Sequence, residues 1–346
     1  MITIIREKTI KQTGYLQLNN KRKKKLGSSD YFEMSEKMSH ESKKINIEDI
    51  QDFNILGNHD NCHMPLALMR NFWIPVGLVP KWNQTYKFPF RSNDVVIATY
   101  PKSGTHWIFY AVYLLKTNNF GPIPRHQQLP LVEYPNSDEM LKTLLDQDEP
   151  RICVTHLPAP LLAKHAFNGK VIYVYRNPKD VVVSLYHHCQ SLSQTWPFDK
   201  TFEELVQLFM QGETMYGPYW KHVESYFKIS QQQQDPGRSI LFVKYEQMKE
   251  DTKGMLRKIA TFLQVDFDEN LIDRIFNAIS VEKMRNNDDV NGKIWRNGIW
   301  NDEKTPFVRK GESGTWRDEF NDANLVAKFD DFFKSQLPVE LFSDIS

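Results

Sequence analysis

The sequence predicts an α/β fold in which a central parallel sheet is flanked by helices, of the P-loop-like type that binds nucleotides. Four short runs have the β-branched and aromatic composition of strands buried on both faces of a sheet: VVIATY, RICVTH, KVIYVY and SILFVK. Segments with helical features lie between them, and strands that alternate with helices favour parallel pairing through right-handed crossovers. The first run leads directly into PKSGT and a helix, the arrangement of a phosphate-binding turn.

The elements follow in chain order from the strand at 95–100. The helix after it carries an apolar stripe formed by Trp107, Tyr110, Ala111, Leu114 and Leu115. The second strand ends at His156, and the third ends in a turn, 177–180, whose residues also supply the N-cap of the next helix. Residues 202–227 have the period of a helix, and the last strand begins at Ser239. Ligands of such sheets gather beyond the carboxyl ends of the strands, where polar side chains recur in this chain.

Composition narrows the function classes. Hydrophobic residues make up 40% of the 346 residues and aromatic residues 13%, enough for a large core and an aromatic pocket. The 44 basic and 43 acidic residues leave a formal charge of +1, so no overall field attracts nucleic acid or an anionic membrane. No apolar run approaches the roughly 18 residues of a membrane helix, and the start of the sequence does not resemble a secretory signal. The scattered cysteines Cys62, Cys153 and Cys189 fit reduced thiols, and we expect a cytoplasmic protein with no nucleic-acid or membrane partner.

The first 50 residues differ from the rest of the chain. They are rich in Lys, Asn and Ser and include the basic run at 21–25, so we expect a disordered basic extension that buries too little apolar surface to fold. The run is a solvated tail or, alternatively, a nuclear-localisation or polyanion-binding patch. Residues 51–346 are expected to form one α/β domain. His59, Cys62 and His63 could ligate zinc, but no second half-site follows at a zinc-finger spacing, and we expect no metal.

The turn after the first strand is the clearest candidate for anion binding. Backbone N–H groups and the positive end of the next helix converge there. Gly104 lets the backbone approach a ligand closely, while the hydroxyls of Ser103 and Thr105 and the charge of Lys102 add donors. The loop is not a Walker A element, because GxxxxGK[ST] is absent and Lys102 precedes Gly104. The turn could stack a flat base on Trp107, or it could be an ordinary strand-to-helix turn with that ring in the core.

Three segments, in the right order, resemble motifs of the cytosolic sulfotransferases. YPKSGTHW resembles the family's 5′-phosphosulfate loop, RNPKDVVVSLYHH its 3′-phosphate element and RKGESGTW its C-terminal RKGxxGxW loop. FMQGETMYGPYWKHV and YEQMKED lie between the second and the third, and the resemblance extends from Phe72 to about Phe320. It implies that 51–346 is a sulfotransferase domain that moves a sulfuryl group from 3′-phosphoadenosine 5′-phosphosulfate (PAPS) to a small acceptor and releases PAP.

The resemblance assigns the nucleotide to residues from separate segments. Arg176 and Ser184 would grip the 3′-phosphate with a guanidinium fork and a hydroxyl, and Arg309 and Lys310 would close over the same group. Taken by itself, Arg176 could instead form a surface ion pair with Asp180. The implied nucleotide-binding set is Lys102, Ser103, Gly104, Thr105, His106, Trp107, Arg176, Ser184, Tyr245, Ser280, Phe307, Arg309, Lys310 and Gly311.

The implied catalytic residues are His156, Lys102 and Ser184. His156 matches the family's catalytic histidine, and a neutral imidazole with a pKa of about 6.5 can accept the proton of an acceptor O–H or N–H. Lys102 would stabilise charge on the bridging oxygen of the leaving group, and the transfer would be direct and in line. We expect no metal, because fixed cations suffice for a sulfuryl group. For an isolated histidine at a strand end, a purely structural role is the alternative.

Several positions depart from the family pattern. His106 stands where Thr or Ser is usual, so an imidazole would replace a hydroxyl at the 5′-phosphate, and Val154 replaces a lysine near the acceptor. Ile279 and Val281 replace Thr and Phe near the adenine, and Thr315 replaces Asp in the C-terminal loop. In place of the family's dimerisation pattern KxxxTVxxxE stand Arg317, Asn321, Asp322 and Val326. We therefore expect a monomer or a dimer of a different kind.

Two other functions compete with a transferase. A nucleotide kinase would need a carboxylate for magnesium at a strand end, where this chain has Arg176, His156 and Tyr245. A silent nucleotide-binding protein would not need Lys102 and Ser184 together with that histidine.

The acceptor is expected to be a small molecule, a flat phenol or a sterol, while amines and simple alcohols stay open. His187 and His188 are expected to pack nearby or to point toward its pocket. The candidate lining residues are Phe72, Trp73, Trp82, Tyr134, Phe198 and Tyr219.

Overall fold

The computed structural model describes residues 53–54, 66–133, 142, 144–146, 151–162, 164–192, 198–232, 239–293, 300–301 and 304–342. All of them belong to one unit of the chain, Ile50–Ser346. The predicted N-terminal extension, the cluster of His59, Cys62 and His63, and the candidate pocket residue Tyr134 lie outside the described residues.

The described residues form two sheets. The strands are β1 (Phe53–Asn54), β2 (Leu66–Met69), β3 (Phe72–Pro75), β4 (Val95–Thr99), β5 (Ile152–Thr155), β6 (Lys170–Tyr175) and β7 (Ser239–Lys244). The first three pair antiparallel in chain order, and the other four form a parallel sheet in the order β5-β4-β6-β7. The four predicted strands and their parallel pairing are therefore confirmed. Their carboxyl ends share one edge of the sheet, which places the residues that follow each strand near one another.

Burial on both faces explains why these strands are apolar throughout. Along β4, Val96 and Ala98 pack into one core cluster, whereas Ile97 packs into the other. Side chains alternate between the two faces of a strand, so a strand covered on both sides has no polar face. At the amino ends, buried Asp94 pairs with Arg151 at 2.6 Å and ties β4 to β5.

Helices cover both faces of the parallel sheet, since each core cluster contains helical residues. They include α1 (Trp82–Tyr86), α2 (Thr105–Thr117), α3 (Pro178–Ser191), α4 (Phe202–Gln211), α5 (Tyr219–Gln231), α6 (Tyr245–Glu250), α7 (Thr252–Leu263), α8 (Glu269–Ala278), α9 (Val281–Arg285), α10 (Ala323–Gln336) and α11 (Val339–Phe342). The predicted cap of α3 is confirmed, because the side chain of Asn177 accepts from the N–H of Lys179 at 2.9 Å. Within the described ranges, no helix has the length and apolar character needed to cross a bilayer.

The segment 202–227, which has a helical period, forms two helices, α4 and α5, with a loop between them. Gly212 ends α4 in the left-handed conformation at φ 81°, and a Cβ there would lie 2.6 Å from a proline ring. The loop that follows is tied to β3 by backbone hydrogen bonds. The N–H of Tyr216 donates to the carbonyl of Trp73 at 2.5 Å, and the N–H of Trp73 donates to the carbonyl of Gly217 at 2.8 Å. The small antiparallel sheet, which no sequence pattern predicted, thus supports a loop that reaches the candidate site.

Candidate functional site

The strand β4 leads into a tight turn and then into α2, as predicted. Two residues of the turn have the left-handed backbone conformation, Lys102 at φ 71° and Gly104 at φ 98°. A Cβ at Gly104 would lie 2.7 Å from the ring of Tyr245, so both the conformation and the available space require glycine. The turn therefore holds the positive end of α2 at the carboxyl edge of the sheet.

The ammonium group of Lys102 lies among rings and other cations. Its Nζ is 3.4 Å from Nδ1 of His188 and 5.1 Å from the centroid of the Phe307 ring. Burial lowers the pKa of Lys102 to about 8, and the nearby guanidinium groups of Arg176 and Arg309 act in the same direction. Cations brought this close together favour an anion between them.

Arg176, which follows β6, links two loops of the site. Its Nη1 donates to the carbonyl of Lys102 at 3.2 Å, and its Nη2 donates to the carbonyl of Glu312 at 2.8 Å. The guanidinium carbon lies 4.3 Å from the centroid of the Tyr245 ring. Nε of Arg176 and Oγ of Ser103 are buried and have no hydrogen-bond partner among the described residues. Buried donors without partners are rare in proteins, and these two suit an anionic ligand.

The C-terminal loop is held from two sides. On one side, Arg285 of α9 donates to the carbonyls of two successive loop residues, the second of which is Arg309. On the other side, the carboxylate of Asp180 accepts from two backbone N–H groups within residues 314–316. The ion pair that Asp180 could have formed with Arg176 is therefore replaced by a clamp on the loop.

Arg309 and Lys310 differ in how they are held. Nη2 of Arg309 lies 3.4 Å from the hydroxyl of Thr315. Burial lowers the pKa of Arg309, and the like charge of Arg176 adds to this effect. Lys310 is exposed, and its ammonium pairs with the carboxylate of Asp318. Arg309 is thus the loop cation nearer to the cluster around Lys102.

The residues predicted at the adenosine lie on neighbouring elements. The rings of Trp107 and Tyr245 meet edge to face, with their centroids 5.4 Å apart. Ser280 caps α9, because its hydroxyl accepts from a backbone N–H of that helix. A Cβ on Gly311, at φ 63°, would lie 2.4 Å from Val281, so the loop packs directly on α9.

Two other predicted residues, Thr105 and His106, are held by contacts inside the protein. The hydroxyl of Thr105 lies 2.7 Å from that of Thr99, and both are buried. Nδ1 of His106 lies 2.7 Å from the carbonyl of Val290, so that nitrogen carries the hydrogen and donates it. Ser184 lies half-buried on α3. The imidazole of His106 is thus oriented by the carbonyl of Val290.

His156, just after β5, is fixed at its ring and at its backbone. Nδ1 lies 2.9 Å from the carbonyl of Thr99, which can only accept, so the hydrogen is on Nδ1 and the lone pair is on Nε2. The carbonyl of His156 accepts from Nε2 of His222 at 2.9 Å, and its N–H donates to Oε1 of Glu133. Burial lowers the pKa of His156 to about 4, well below the ordinary value used in the sequence prediction. The imidazole is therefore neutral at physiological pH.

Sequence reasoning missed three residues that hold His156: Thr99, Glu133 and His222. His222 is buried and donates toward His156, while its Nδ1 lies 2.9 Å from the hydroxyl of Tyr173. Burial raises the pKa of Glu133 to about 7, and its Oε2 has no hydrogen-bond partner in the described part of the chain. Thr99 could have been found as the strand residue before the phosphate turn. The other two carry no local signal, because they lie far from His156 in the chain.

Aromatic rings lie next to His156 and next to His188. The ring centroid of Tyr216 is 5.5 Å from that of His156, and the centroid of Trp300 is 5.1 Å from that of His188. Phe72 and Trp73 are buried in β3, and Phe198 packs against the helix α3. Of the predicted pocket residues, Tyr219 is in the core and donates to the carbonyl of Arg176, so it supports the strand end and does not line a pocket.

His187 and His188 have different neighbours. Nε2 of His187 lies 3.1 Å from the carboxylate of Glu319, at the base of the C-terminal loop. His188 faces Lys102, as described above, and lies toward the rings. Only the second of the two predicted histidines points to the candidate acceptor side.

Comparison with known proteins gives concordant matches. The family model of the sulfotransferase domain matches residues 92–343. The chain is 36% identical over 266 residues to mouse sulfotransferase 1E1, covering 74% of this chain and 87% of that protein. It is 35% identical over 271 residues to human sulfotransferase 1E1, covering 75% of this chain and 88% of that protein.

Solved structures share the architecture. A structure of retinol dehydratase in complex with androsterone and PAP superposes with a TM-score of 0.67 at 24% identity, covering 86% of this chain and 95% of that one. A mouse sulfotransferase complexed with PAP superposes with a TM-score of 0.64 at 24% identity, covering 81% and 98%. The predicted α/β, P-loop-like fold is confirmed.

Proposed function

Because the chain belongs to the sulfotransferase family as a PAPS-dependent enzyme, we propose that it moves the sulfuryl group of PAPS to a hydroxyl or amine of a small acceptor. The acceptor is aromatic or steroidal, His156 is the general base, and the transfer is direct and in line. PAP is the other product.

The convergence of Lys102, Arg176 and Arg309 carries the proposal for the nucleotide. These cations come from three separate segments, and the pKa values of Lys102 and Arg309 are lowered by burial and by neighbouring like charge. Such a cluster is stabilised when an anion neutralises it. The buried donors Ser103 Oγ and Arg176 Nε, which lack partners among the described residues, suit the same ligand. A nucleotide with charged groups at its 5′ and 3′ ends fits donors drawn from these separate segments.

The donor set extends to the remaining predicted residues. Ser184 contributes its hydroxyl at the phosphate and belongs to the catalytic set with Lys102 and His156. Trp107 and Tyr245 meet beside the turn and suit a flat base. No metal takes part in this proposal, because the fixed cations already supply the positive charge that a sulfuryl donor needs.

The proton would move to Nε2 of His156. The hydrogen on Nδ1 is committed to Thr99, so Nε2 has the lone pair that can accept the proton of an acceptor O–H or N–H. The lowered pKa keeps the ring neutral, and Lys102, with a pKa of about 8, is largely charged at neutral pH. Lys102 is therefore suited to stabilise negative charge on the leaving oxygen.

The acceptor class rests on the rings around the base. Tyr216 lies beside His156, and Trp300 lies beside His188 near Lys102. Flat apolar molecules pack well between aromatic side chains, while an imidazole at the edge can orient a hydroxyl. Retinol dehydratase, which shares the fold, has been crystallised with androsterone and with retinol.

Further expectations stay part of the proposal. The sulfotransferase domain spans 51–346, and residues 1–50, which lie outside the described residues, are an extension that is basic in sequence. The protein works in the cytoplasm on a small-molecule acceptor, without nucleic-acid or membrane partners. It is a monomer or a dimer that does not use the family's usual dimerisation pattern.

The test is a transfer assay with PAPS labelled in the sulfate and a panel of phenols, steroids and amines. We expect labelled product with at least one phenol or steroid. PAP binding is measured on the same protein by calorimetry. Absence of PAP binding would refute the nucleotide site, whereas PAP binding with transfer only to amines would refute the acceptor class alone.

A further inference from the structure

The carboxylate of Asp180 binds the C-terminal loop at three points. Its Oδ2 accepts from the N–H of Gly314 at 2.7 Å, and its Oδ1 accepts from the N–H of Trp316 at 2.9 Å. Oδ1 also lies 3.3 Å from the hydroxyl of Thr315. Asp180 is 1% exposed and stands in the first turn of α3, where the positive helix end favours a carboxylate. A buried charge with this many donors fixes the position of the loop.

The same segment of the chain grips the loop twice. Arg176 donates to the carbonyl of Glu312, and Asp180 lies four residues later, across the turn that starts α3. The hydroxyl of Thr315 connects this clamp to the nucleotide side, because Nη2 of Arg309 lies 3.4 Å from it. Asp180 also acts on the charge of Arg309, whose pKa it raises against the lowering by burial. The position of Arg309 therefore depends on a residue that lies outside the predicted nucleotide-binding set.

We propose that Asp180 is a positioning residue for the nucleotide: it clamps residues 314–316 and thereby holds Arg309 at the phosphate. This rests on the proposed nucleotide site, since the clamp matters for binding only if Arg309 contacts the ligand. Asp180 itself touches no reacting atom. Its effect is on nucleotide affinity and loop position, not on proton transfer by His156.

The first test is calorimetric titration of PAP into the full chain carrying Asp180→Asn. The amide keeps the size of the side chain. Both oxygens of the carboxylate accept hydrogen bonds from backbone N–H groups, so the NH₂ group of the amide must face one of these donors. We expect the Kd for PAP to rise on the order of tenfold, the range for loss of a charged hydrogen bond. Asp331→Asn, an exposed aspartate on α10, makes the same change of charge at the surface and should leave the Kd unchanged.

A second pair of variants keeps the test decisive if Asp180→Asn folds poorly. Thr315→Val removes the hydroxyl but keeps the shape of the side chain, whereas Thr315→Ser keeps the hydroxyl. We expect the Kd for PAP to rise severalfold in Thr315→Val and to return close to the parent value in Thr315→Ser.

Loop position is tested by limited proteolysis. Cleavage by trypsin after Arg309 and Lys310, followed by mass spectrometry, should be faster in Asp180→Asn than in the parent protein. A merely structural role would also lower the midpoint of unfolding in urea, so faster loop cleavage and weaker PAP binding with an unchanged midpoint assign the effect to the loop.

A double-mutant cycle separates this inference from the proposed function. If Arg309→Ala leaves the Kd for PAP unchanged, the nucleotide site is wrong. If Arg309→Ala weakens binding but Asp180→Asn and Thr315→Val do not, the site stands and the clamp is refuted. If Asp180 acts through Arg309, the effect of combining Asp180→Asn with Arg309→Ala is smaller than the product of the two single effects. Independent effects that multiply would also refute the clamp.

Discussion

The two halves of the site are built on opposite electrostatic principles. The nucleotide half, around Lys102, Arg176 and Arg309, gathers positive charge from three segments. In the proton-transfer half, burial favours neutral groups: it lowers the pKa of His156 to about 4 and raises the pKa of Glu133 to about 7. One half holds fixed charge for an anion, and the other keeps a neutral base ready for a proton. Burial shifts these groups toward their neutral forms, but the pKa of Lys102 falls only from 10.5 to about 8, so this side chain stays largely charged at pH 7, whereas the pKa of His156 falls from 6.5 to about 4 and its ring is neutral.

One strand aligns the two halves. Thr99, the last residue of β4, accepts from the ring of His156 through its carbonyl at 2.9 Å. Its hydroxyl lies 2.7 Å from that of Thr105, which begins α2, and Lys102 lies in the turn between them. The distance between the base and the phosphate turn is thus set by a few residues of rigid backbone. We expect changes on one side of Thr99 to leave the other side intact.

The largest expected effect is on the proton-transfer half alone. His156→Ala should lower kcat about 10²- to 10⁴-fold, because the general base is lost. The Kd for PAP should stay near that of the parent protein, since the hydrogen bond of the ring goes to the carbonyl of Thr99 and the ring itself is neutral. His126→Ala, at a half-buried histidine of the turn Arg125–Gln127 outside both halves, is the matched control and should keep most of kcat. Retained turnover in His156→Ala would show that another group is the base.

The next largest effect is expected for a substitution in the nucleotide half, Arg176→Ala, which should leave the proton-transfer half unaffected. Arg176→Ala should weaken PAP binding by about 1.5–3 kcal/mol, or roughly 10- to 150-fold, because a charged donor is lost. The KM for the acceptor should change little. Arg257→Ala, which removes an exposed arginine paired with Glu269, is the control. Unchanged PAP affinity in Arg176→Ala would mean that the phosphate binds elsewhere.

The proton-transfer half can also be tested through Glu133, by measuring how the free energy of unfolding depends on pH. Its pKa is raised from 4.5 to about 7 in the folded chain, so the folded state binds this proton more tightly than the unfolded state. Its contribution to stability, on the order of 3 kcal/mol, is fully present below a pH of about 4.5 and is lost as the pH rises through about 7. Glu133→Gln cannot titrate, so the free energy of unfolding from urea titrations should fall less over this range than in the parent protein. Equal slopes in the two proteins would show that Glu133 is charged in the fold.

The smallest expected effect is the pH dependence of PAP binding to the nucleotide half. The pKa of Lys102 is lowered to about 8, so this charge is lost as the pH rises through that value. PAP affinity should fall above pH 8 by at most about tenfold per pH unit. Lys102→Arg stays charged, and its affinity should be nearly flat between pH 7 and about 9.5 in the same calorimetric titration. A parallel fall in both proteins would assign the titration to another group.

Local patterns in the sequence predicted the four parallel strands, the phosphate turn, the cap of α3 and the positions of Lys102, His156 and Arg176. Each of these depends on neighbours in the chain, such as an apolar run that ends in a polar turn. The helical prediction for 202–227 was confirmed by two helices, but the local pattern was incomplete. The period of 202–227 did not show that Gly212 ends a helix there.

The sequence by itself therefore determined the type of fold, the family and the side chains that carry the charge. Only the tertiary structure decided what those side chains do to one another. In the structure, Asp180 binds the loop at 314–316, and not Arg176. Glu133 and His222 bind the backbone of His156. The physical reason is that pKa values and clamps depend on burial and on distances between residues far apart in the chain, which no local pattern encodes.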